Sequence, residues 1–423
     1  MNLFQNIQPF LLIIILLFSF VNCQNIPNPR YLQTSSLIGN RLYFFGGDLS
    51  TTDYRNDNAA NITNEVWYID LSSSFNASTP PWNKDVGMPI GYILSASCAS
   101  PIDNNSVFLV GGRIISLWTT PIIIGLNSSF KMRTEIQPVI DNYGKVYIFG
   151  GNNYTSSKNS YVNYNDMSIL DTTSMTWSTL PIFENAPLPS FGYTATLLPT
   201  GIIVYIGGYK STRSGSDDPY ETVSMYEIQT FNTKNYSWST KVAGGDKIGT
   251  RAYHSAVLTQ NNEIIIYGGS MWNDTLKPAT PYLAKLDTSS WMWSITNLSQ
   301  INAPQLSGHS AALYGDYMII AFGLNPSASS TSDLDLSNYI YVLDIVSYTW
   351  VTSVLPTNTY TPSLNTSSPD TPSPDTSSHL DLIIGISIGT AGIVLLGAVG
   401  FLLYKRQNQE FIPTSGTTDY RMK

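Results

Sequence analysis

Arg251-Ala252-Tyr253-His254-Ser255-Ala256-Val257-Leu258, Glu263-Ile264-Ile265-Ile266-Tyr267-Gly268-Gly269, Pro281-Tyr282-Leu283-Ala284-Lys285-Leu286 and Trp291-Met292-Trp293-Ser294 read as four short strands, with Asp287-Thr288-Ser289 turning into the last. The apolar run that stops at a glycine pair recurs along the chain. Leu42-Tyr43-Phe44-Phe45 precedes Gly46-Gly47, Val107-Phe108-Leu109-Val110 precedes Gly111-Gly112, Val146-Tyr147-Ile148-Phe149 precedes Gly150-Gly151, and Ile203-Val204-Tyr205-Ile206 precedes Gly207-Gly208. A damaged sixth copy, Met318-Ile319-Ile320-Ala321-Phe322-Gly323-Leu324, carries Leu324 at the place of a second glycine. Third strands are expected at Val66–Asp70, Ser168–Asp171, Met225–Glu227 and Tyr339–Asp344, with Trp82, Trp177, Trp238 and Trp350 following them as Trp293 follows Leu286. Self-similarity at one period means an array of like supersecondary units. Only 12% of residues are Asp, Glu, Lys or Arg, while Tyr, Ile, Thr, Ser, Asn and Gly abound, so the array is all-β.

An Arg-x-x-His-Ser opening, a strand closed by Gly-Gly, a Tyr-x-x-Asp-like third strand and a Trp in the fourth resemble the kelch repeat, over roughly Arg30 to Leu355. The resemblance implies a kelch-type β-propeller of four-stranded antiparallel blades. Six units fit a period of about 50 residues; seven is the alternative, with the extra unit between Gly47 and Asn105. In such a blade glycine suits a position of positive φ and close approach. Gly46, Gly47, Gly111, Gly112, Gly150, Gly151, Gly207, Gly208, Gly268 and Gly269 are therefore expected to be structural. So are Trp177, Trp238, Trp293 and Trp350, as fillers between blades.

The ends read differently. Residues 1–23, with an apolar stretch from Phe10 to Phe20 before Val21-Asn22-Cys23, have the pattern of a cleaved signal peptide. Residues 24–355 form the propeller ectodomain. Residues 356–381 are rich in Pro, Ser and Thr and form an extended stalk, too poor in apolar residues to offset ordering entropy. Residues 382–404 carry no charge and are long enough, at about 1.5 Å per residue, to cross a bilayer as one C-terminal transmembrane helix. Lys405-Arg406 then place the tail, 405–423, in the cytoplasm. The expected location is the plasma membrane or another membrane of the secretory pathway, single-pass type I, with the propeller outside. Gly385 and Gly389 form a GxxxG spacing suited to helix dimerisation. Glycosylation sequons begin at Asn61, Asn76, Asn104, Asn127, Asn153, Asn235, Asn273, Asn297 and Asn365. Cys98, in the small-residue strand Ser95–Ala99, is expected to be a buried, inert thiol.

Catalytic signatures are sparse. Galactose oxidase carries a kelch-type propeller, and a resemblance to it implies copper held by two histidines and two tyrosines, one of them thioether-linked to a cysteine. This chain has three histidines: His379 in the stalk, and His254 and His309 at the repeat's own histidine position. The ligand set is not assembled from these residues, so no cofactor or metal is expected. The sequence holds no His-supported Gly-x-Ser-x-Gly elbow, HExxH or phosphate-binding loop. Asp217-Asp218 and Asp333/Asp335 fall in polar loops. A net charge of -8 repels phosphate and argues against nucleic acid.

Loops joining strands two to three and loops joining blades emerge on one face. The segments Asp48–Asn64, Asn152–Asn165, Tyr209–Glu221, Ser270–Thr280 and Asn325–Asn338 all lie there. Tyr161, Tyr164, Tyr209, Arg213, Asp217, Asp218, Tyr220 and Trp272 are the candidate ligand-binding residues, since they combine charge with aromatic faces. The chain thus reads as a non-catalytic recognition or adhesion module for an extracellular protein or glycan. The alternative is a membrane-tethered carbohydrate-active enzyme related to the galactose oxidase propeller.

Overall fold

The computed structural model describes residues 25–52, 59–113, 130–155, 160–183, 185–211, 220–273, 275–296, 303–329 and 333–356. All belong to the compact unit Met1–Thr359; the expected signal segment 1–23, nearly all of the expected stalk, the uncharged stretch 382–404 with Gly385 and Gly389, and residues 405–423 lie outside the described residues. Among the described residues, no helix is long and apolar enough to cross a membrane.

The unit is all-β and propeller-like. Sheet 1 orders Thr34–Ile38, Arg41–Phe45, Val66–Asp70 and Trp82–Lys84, every pair antiparallel. Sheet 2 has two described strands, Ile93–Ala99 and Val107–Arg113. Sheet 3 runs Val139–Ile140, Lys145–Phe149, Met167–Asp171, Thr176–Thr179, and sheet 4 Thr194–Leu197, Ile202–Ile206, Glu227–Asn232, Ser237–Val242. Sheet 5 holds Ser255–Leu258, Glu263–Tyr267, Leu283–Asp287 and Met292–Ser294, with Gly244–Gly245 added in parallel at its outer edge. Sheet 6 comprises Ser310–Tyr314, Tyr317–Ala321, Ile340–Asp344 and Thr349–Val351. The interval Gly47–Asn105 is occupied by the outer strands of sheet 1 and the first strand of sheet 2.

The second strands explain the unbroken apolar runs. Ile264, Ile265, Ile266 and Tyr267 are all fully buried, because a neighbouring sheet packs on each face and neither side of the strand meets water. The five largest core clusters accordingly each span two sheets. Val204, Ile206 and Ile228 of sheet 4 pack with Ile264, Leu286 and Trp293 of sheet 5, while Phe44 and Trp82 of sheet 1 pack with Ile319 and Ala321 of sheet 6. Trp293 also donates its indole N–H to the Met225 carbonyl at 2.7 Å, which satisfies the one polar atom this ring would otherwise bury unpaired. Trp238 packs against Phe149 of the preceding sheet, Trp350 meets Tyr267 edge-on, and Trp177 stacks on Phe130.

Two families of inter-sheet hydrogen bonds run right round the unit. In the first, the second glycine of each pair donates its amide to the next sheet: Gly47 to Tyr92, Gly112 to Arg133, Gly151 to Ser190, Gly208 to Arg251 and Gly269 to Leu306, all at 2.8–2.9 Å. The series ends with Gly323 donating to Arg30 at 2.8 Å, which joins sheet 6 to sheet 1. Both glycines of every pair have positive φ. The alignment of the sixth copy is thereby corrected. Gly323 is its second glycine, and Phe322, at φ 62°, stands where the first would be, so Leu324 lies one residue beyond the pair.

In the second family, six residues two positions on from those acceptors bond to one another around the axis. Leu94 donates to Leu32, Glu135 to Leu94, Gly192 to Glu135, Tyr253 to Gly192, Gly308 to Tyr253 and Leu32 to Gly308, at 2.8–3.2 Å. All six have left-handed φ between 54° and 65°. This turn corrects the expected first strand, which starts at Ser255 rather than Arg251 because the backbone is still reversing at Tyr253. Other boundaries shift by one or two residues, as where the third strand of sheet 4 begins at Glu227 rather than Met225.

Candidate functional site at the axis

Strand order puts the starts of the first strands and the ends of the second strands on one face. Three of the segments after the glycine pairs fold there as β-hairpins rather than the irregular loops expected. They are Asn152–Thr155 with Ser160–Asn163, Tyr209–Ser211 with Tyr220–Thr222, and Ser270–Asn273 with Thr275–Pro278. Pairing satisfies the backbone groups of the described strands.

The candidate residues divide. Tyr209 is buried at the base of the second hairpin and Tyr220 is exposed on its facing strand; their rings lie 5.1 Å apart, and each is 5.7 Å from Phe191. Tyr161 is exposed on the first hairpin, whereas the Tyr164 ring lies 4.4 Å from the guanidinium of buried Arg133, a packing role. Arg213, Asp217 and Asp218 lie outside the described residues, and Trp272 is placed by its backbone alone, opposite Leu276. Exposed Asn76 ends the short strand Phe75–Asn76 that pairs with Ser353–Val354, exposed Asn104 and Asn235 sit in turns, partly buried Asn61 and Asn153 lie near the hairpin face, and Asn273 ends a hairpin strand. Asn127, Asn297 and Asn365 lie outside the described residues.

The polar centre of this face was not among the expected residues. Glu135 and Tyr253 both belong to the axial ring, and the Tyr253 hydroxyl donates to Glu135 Oε2 at 2.5 Å across sheets 3 and 5. Buried Asn152, at the base of the first hairpin, donates to Glu135 Oε1 at 3.1 Å. Desolvation raises the Glu135 carboxyl above its usual range, opposed by the hydrogen bonds from Tyr253 and Asn152 and by the charge of Arg113. Desolvation likewise raises the Tyr253 phenol well above its usual value, and the Glu135 carboxylate adds to that shift. Both side chains keep partial access to solvent. The Tyr253 ring lies 6.3 Å from Tyr209, so the carboxyl stands at one end of an aromatic row formed by Tyr253, Tyr209, Tyr220 and Phe191. Aligning Arg133-Thr134-Glu135 with Arg251-Ala252-Tyr253 is the signal that locates the pair. It puts both at one repeat position, where the other copies have Leu32, Leu94, Gly192 and Gly308.

The repeat histidines and arginines serve packing. His254 and His309 reach the preceding sheet through Nε2, at 3.0 Å from Thr194 Oγ1 and 2.8 Å from Ser255 Oγ, and Gln33 does the same to Ser310 Oγ. Arg30, Arg133 and Arg251 each donate Nη1 to the carbonyl of the first glycine in their own sheet, Gly46, Gly150 and Gly268. Among the described residues no group of three or more His, Cys, Asp or Glu is placed to hold a metal ion. Cys98 is buried, its thiol pushed up to about 12 by desolvation.

Sheets, glycine pairs and axial ring together define a kelch-type β-propeller. The Attractin/LZTR1 beta-propeller family matches residues 127–370, and the chain belongs to that family. The putative protein tag-53 of Caenorhabditis elegans is 30% identical over 318 residues, covering 69% of this chain and 22% of that protein. Acyl-CoA-binding domain-containing protein 5 of Arabidopsis thaliana is 22% identical, covering 70% and 44%, and Kelch domain-containing protein 3 of Rattus norvegicus is 24% identical, covering 75% and 84%. The chain therefore spans less than half the length of the first two relatives.

Proposed function

We propose that this chain is a non-catalytic recognition module that binds a protein or glycan outside the cell through the hairpin face, on a six-bladed propeller held by one transmembrane helix. One observation carries the binding reading: the aromatic row ending at Glu135 opens on the face where three hairpins project. Loop segments on one side of a rigid scaffold are where recognition residues concentrate. The count of six is supported by the axial hydrogen bonds, which return to Leu32 after six residues. Membrane attachment rests on the uncharged stretch 382–404 followed by Lys405-Arg406, and an extracellular propeller on the apolar leader and the sequons.

Full-length chain with a C-terminal epitope tests the topology. The tag should be reached by antibody only after permeabilisation, and peptide N-glycosidase should lower the apparent mass. A tag accessible on intact cells, or a mass that does not change, would reject the proposed orientation. Intact cells displaying the chain, probed with glycan and secreted-protein arrays, should bind a ligand whose capture is lost with Tyr220→Ala.

The Glu135–Tyr253 pair favours a second reading. A carboxyl shifted upward and bonded to a hydroxyl is the base–nucleophile arrangement of some glycoside-cleaving sites. Turnover of aryl glycosides, lost in both Glu135→Gln and Tyr253→Phe, would select this reading over the first.

A further inference from the structure

We propose that the axis takes a cationic side chain, a lysine ammonium or an arginine guanidinium on an extended segment of a protein partner, with the Glu135 carboxylate as counter-ion and the Tyr253 and Tyr220 rings, backed by buried Tyr209, as its wall. This rests on the hairpin face being the recognition face and adds the chemistry of what enters it.

Four observations converge. Glu135 is the one ionisable carboxyl among the six axial residues, the others being Leu32, Leu94, Gly192, Tyr253 and Gly308, so it is the one negative charge the ring itself presents to a ligand approaching along the axis. That carboxyl receives one donor on each oxygen, from Asn152 and Tyr253, and each oxygen keeps acceptor capacity for a further N–H. The donors hold it in place without neutralising it, and burial leaves it short of solvation that an incoming cation would supply. Finally, the partly exposed Tyr253 ring and the exposed Tyr220 ring flank the buried Tyr209 ring at 6.3 Å and 5.1 Å, so the accessible aromatic faces beside the carboxyl, of the kind that attract an ammonium or guanidinium, are held on a packed aromatic row. A net charge of -8 adds long-range attraction for a basic segment.

Among the described residues, the charged and titratable groups facing Glu135 are Tyr253 from sheet 5 and Arg113 from the end of sheet 2; Tyr209 and Tyr220 face Tyr253 in turn. Arg113 already offsets part of the carboxylate charge, so it competes with an incoming cation. A site for an anion would use Arg113 as its anchor. The effect of removing Arg113 therefore has opposite sign for the two ligand classes.

Titration calorimetry on the full-length chain in detergent micelles uses short alanine-based peptides with one central lysine, arginine, norleucine or glutamate, together with methyl glycosides. Lysine or arginine peptides should bind at least tenfold more tightly than the norleucine peptide, and more weakly as the pH falls and Glu135 takes up a proton. Glu135→Gln should remove the tenfold preference and its pH dependence. Tyr220→Ala, on an exposed ring away from the axial bonds, should weaken lysine binding several-fold with the thermal midpoint unchanged. Arg113→Gln should strengthen it. Equal binding of lysine and norleucine peptides, saturation by a glycoside or the glutamate peptide instead, or weaker lysine binding in Arg113→Gln would each overturn the proposal. Because the detergent assay does not depend on membrane orientation, and turnover is scored separately with aryl glycosides, failure here is distinguishable from failure of the recognition reading.

Discussion

The amide of Gly323 donates to the carbonyl of Arg30, and this one bond closes a series in which every sheet is tied to the next through the second residue of its glycine pair. The same geometry explains the first glycine. A methyl group on Gly268 would stand 2.4 Å from the Leu306 carbonyl oxygen and 2.7 Å from His309 Cε1, at φ +65°, so both the local backbone and the next sheet forbid it. Gly268→Ala should cost more than about 2 kcal/mol, since left-handed strain alone is roughly 1–2 kcal/mol. Gly39→Ala is the control: φ is +54° but nothing lies within 4 Å, so only that strain is expected. Urea midpoints of the two variants should separate; equal midpoints would mean the close approach is relieved without cost.

Arg133 is 1% exposed, bonds Asp166 at 3.0 Å and holds the Gly150 carbonyl, so removing it strands a carboxylate and a buried carbonyl together. Arg133→Met should lose about 3–5 kcal/mol. Arg41 pairs with Asp70 at 3.5 Å on the surface, and Arg41→Ala should lose less than about 1 kcal/mol. Equilibrium unfolding of both variants checks the ratio, and similar losses would contradict the assigned roles.

What could be read from the residues alone follows from how local each constraint is. Gly207-Gly208 and Trp238 answer needs of shape that recur in every unit, so repetition exposes them. The axial pair is different. Glu135 and Tyr253 are 118 residues apart and meet only when sheets 3 and 5 curve round one axis, a relation no window of sequence contains. The hairpin Tyr209–Ser211 with Tyr220–Thr222 was hidden for another reason: its intervening segment is polar and lacks the alternation that marks a half-buried strand. Candidates such as Tyr209 and Tyr220 were found by composition, while the residue that polarises their surface was not.

Cys98 provides a chemical probe of closure between sheets 2 and 3. Its thiol packs beneath the Pro138 carbonyl at 3.7 Å, and burial holds it protonated far above neutral pH. Iodoacetamide at pH 8 should leave the native chain unmodified at Cys98 and label it fully in 6 M guanidinium. Rapid labelling under native conditions, read by peptide mass, would show that the two sheets separate more freely than the packing implies.

The inter-sheet histidines should make stability depend on pH in a definite direction. Burial pushes the His309 imidazole down to about 3 from an ordinary value of about 6.5, and His254 moves the same way. Between those two values the unfolded chain binds a proton at this site and the native chain does not. The contribution of His309 is thus complete above about pH 6.5 and is lost progressively as the pH falls toward 3. At pH 5 the loss is about 2 kcal/mol. Glutamine is the informative replacement, because Gln33 already makes the equivalent contact from sheet 1 to Ser310 and to the Ala321 carbonyl. His309→Gln should therefore fold, keep much of its stability at pH 7.5, and lose less than the parent chain on going to pH 5. Denaturation midpoints at the two pH values decide it: parallel losses in parent and variant would show that the imidazole is protonated in the native ring.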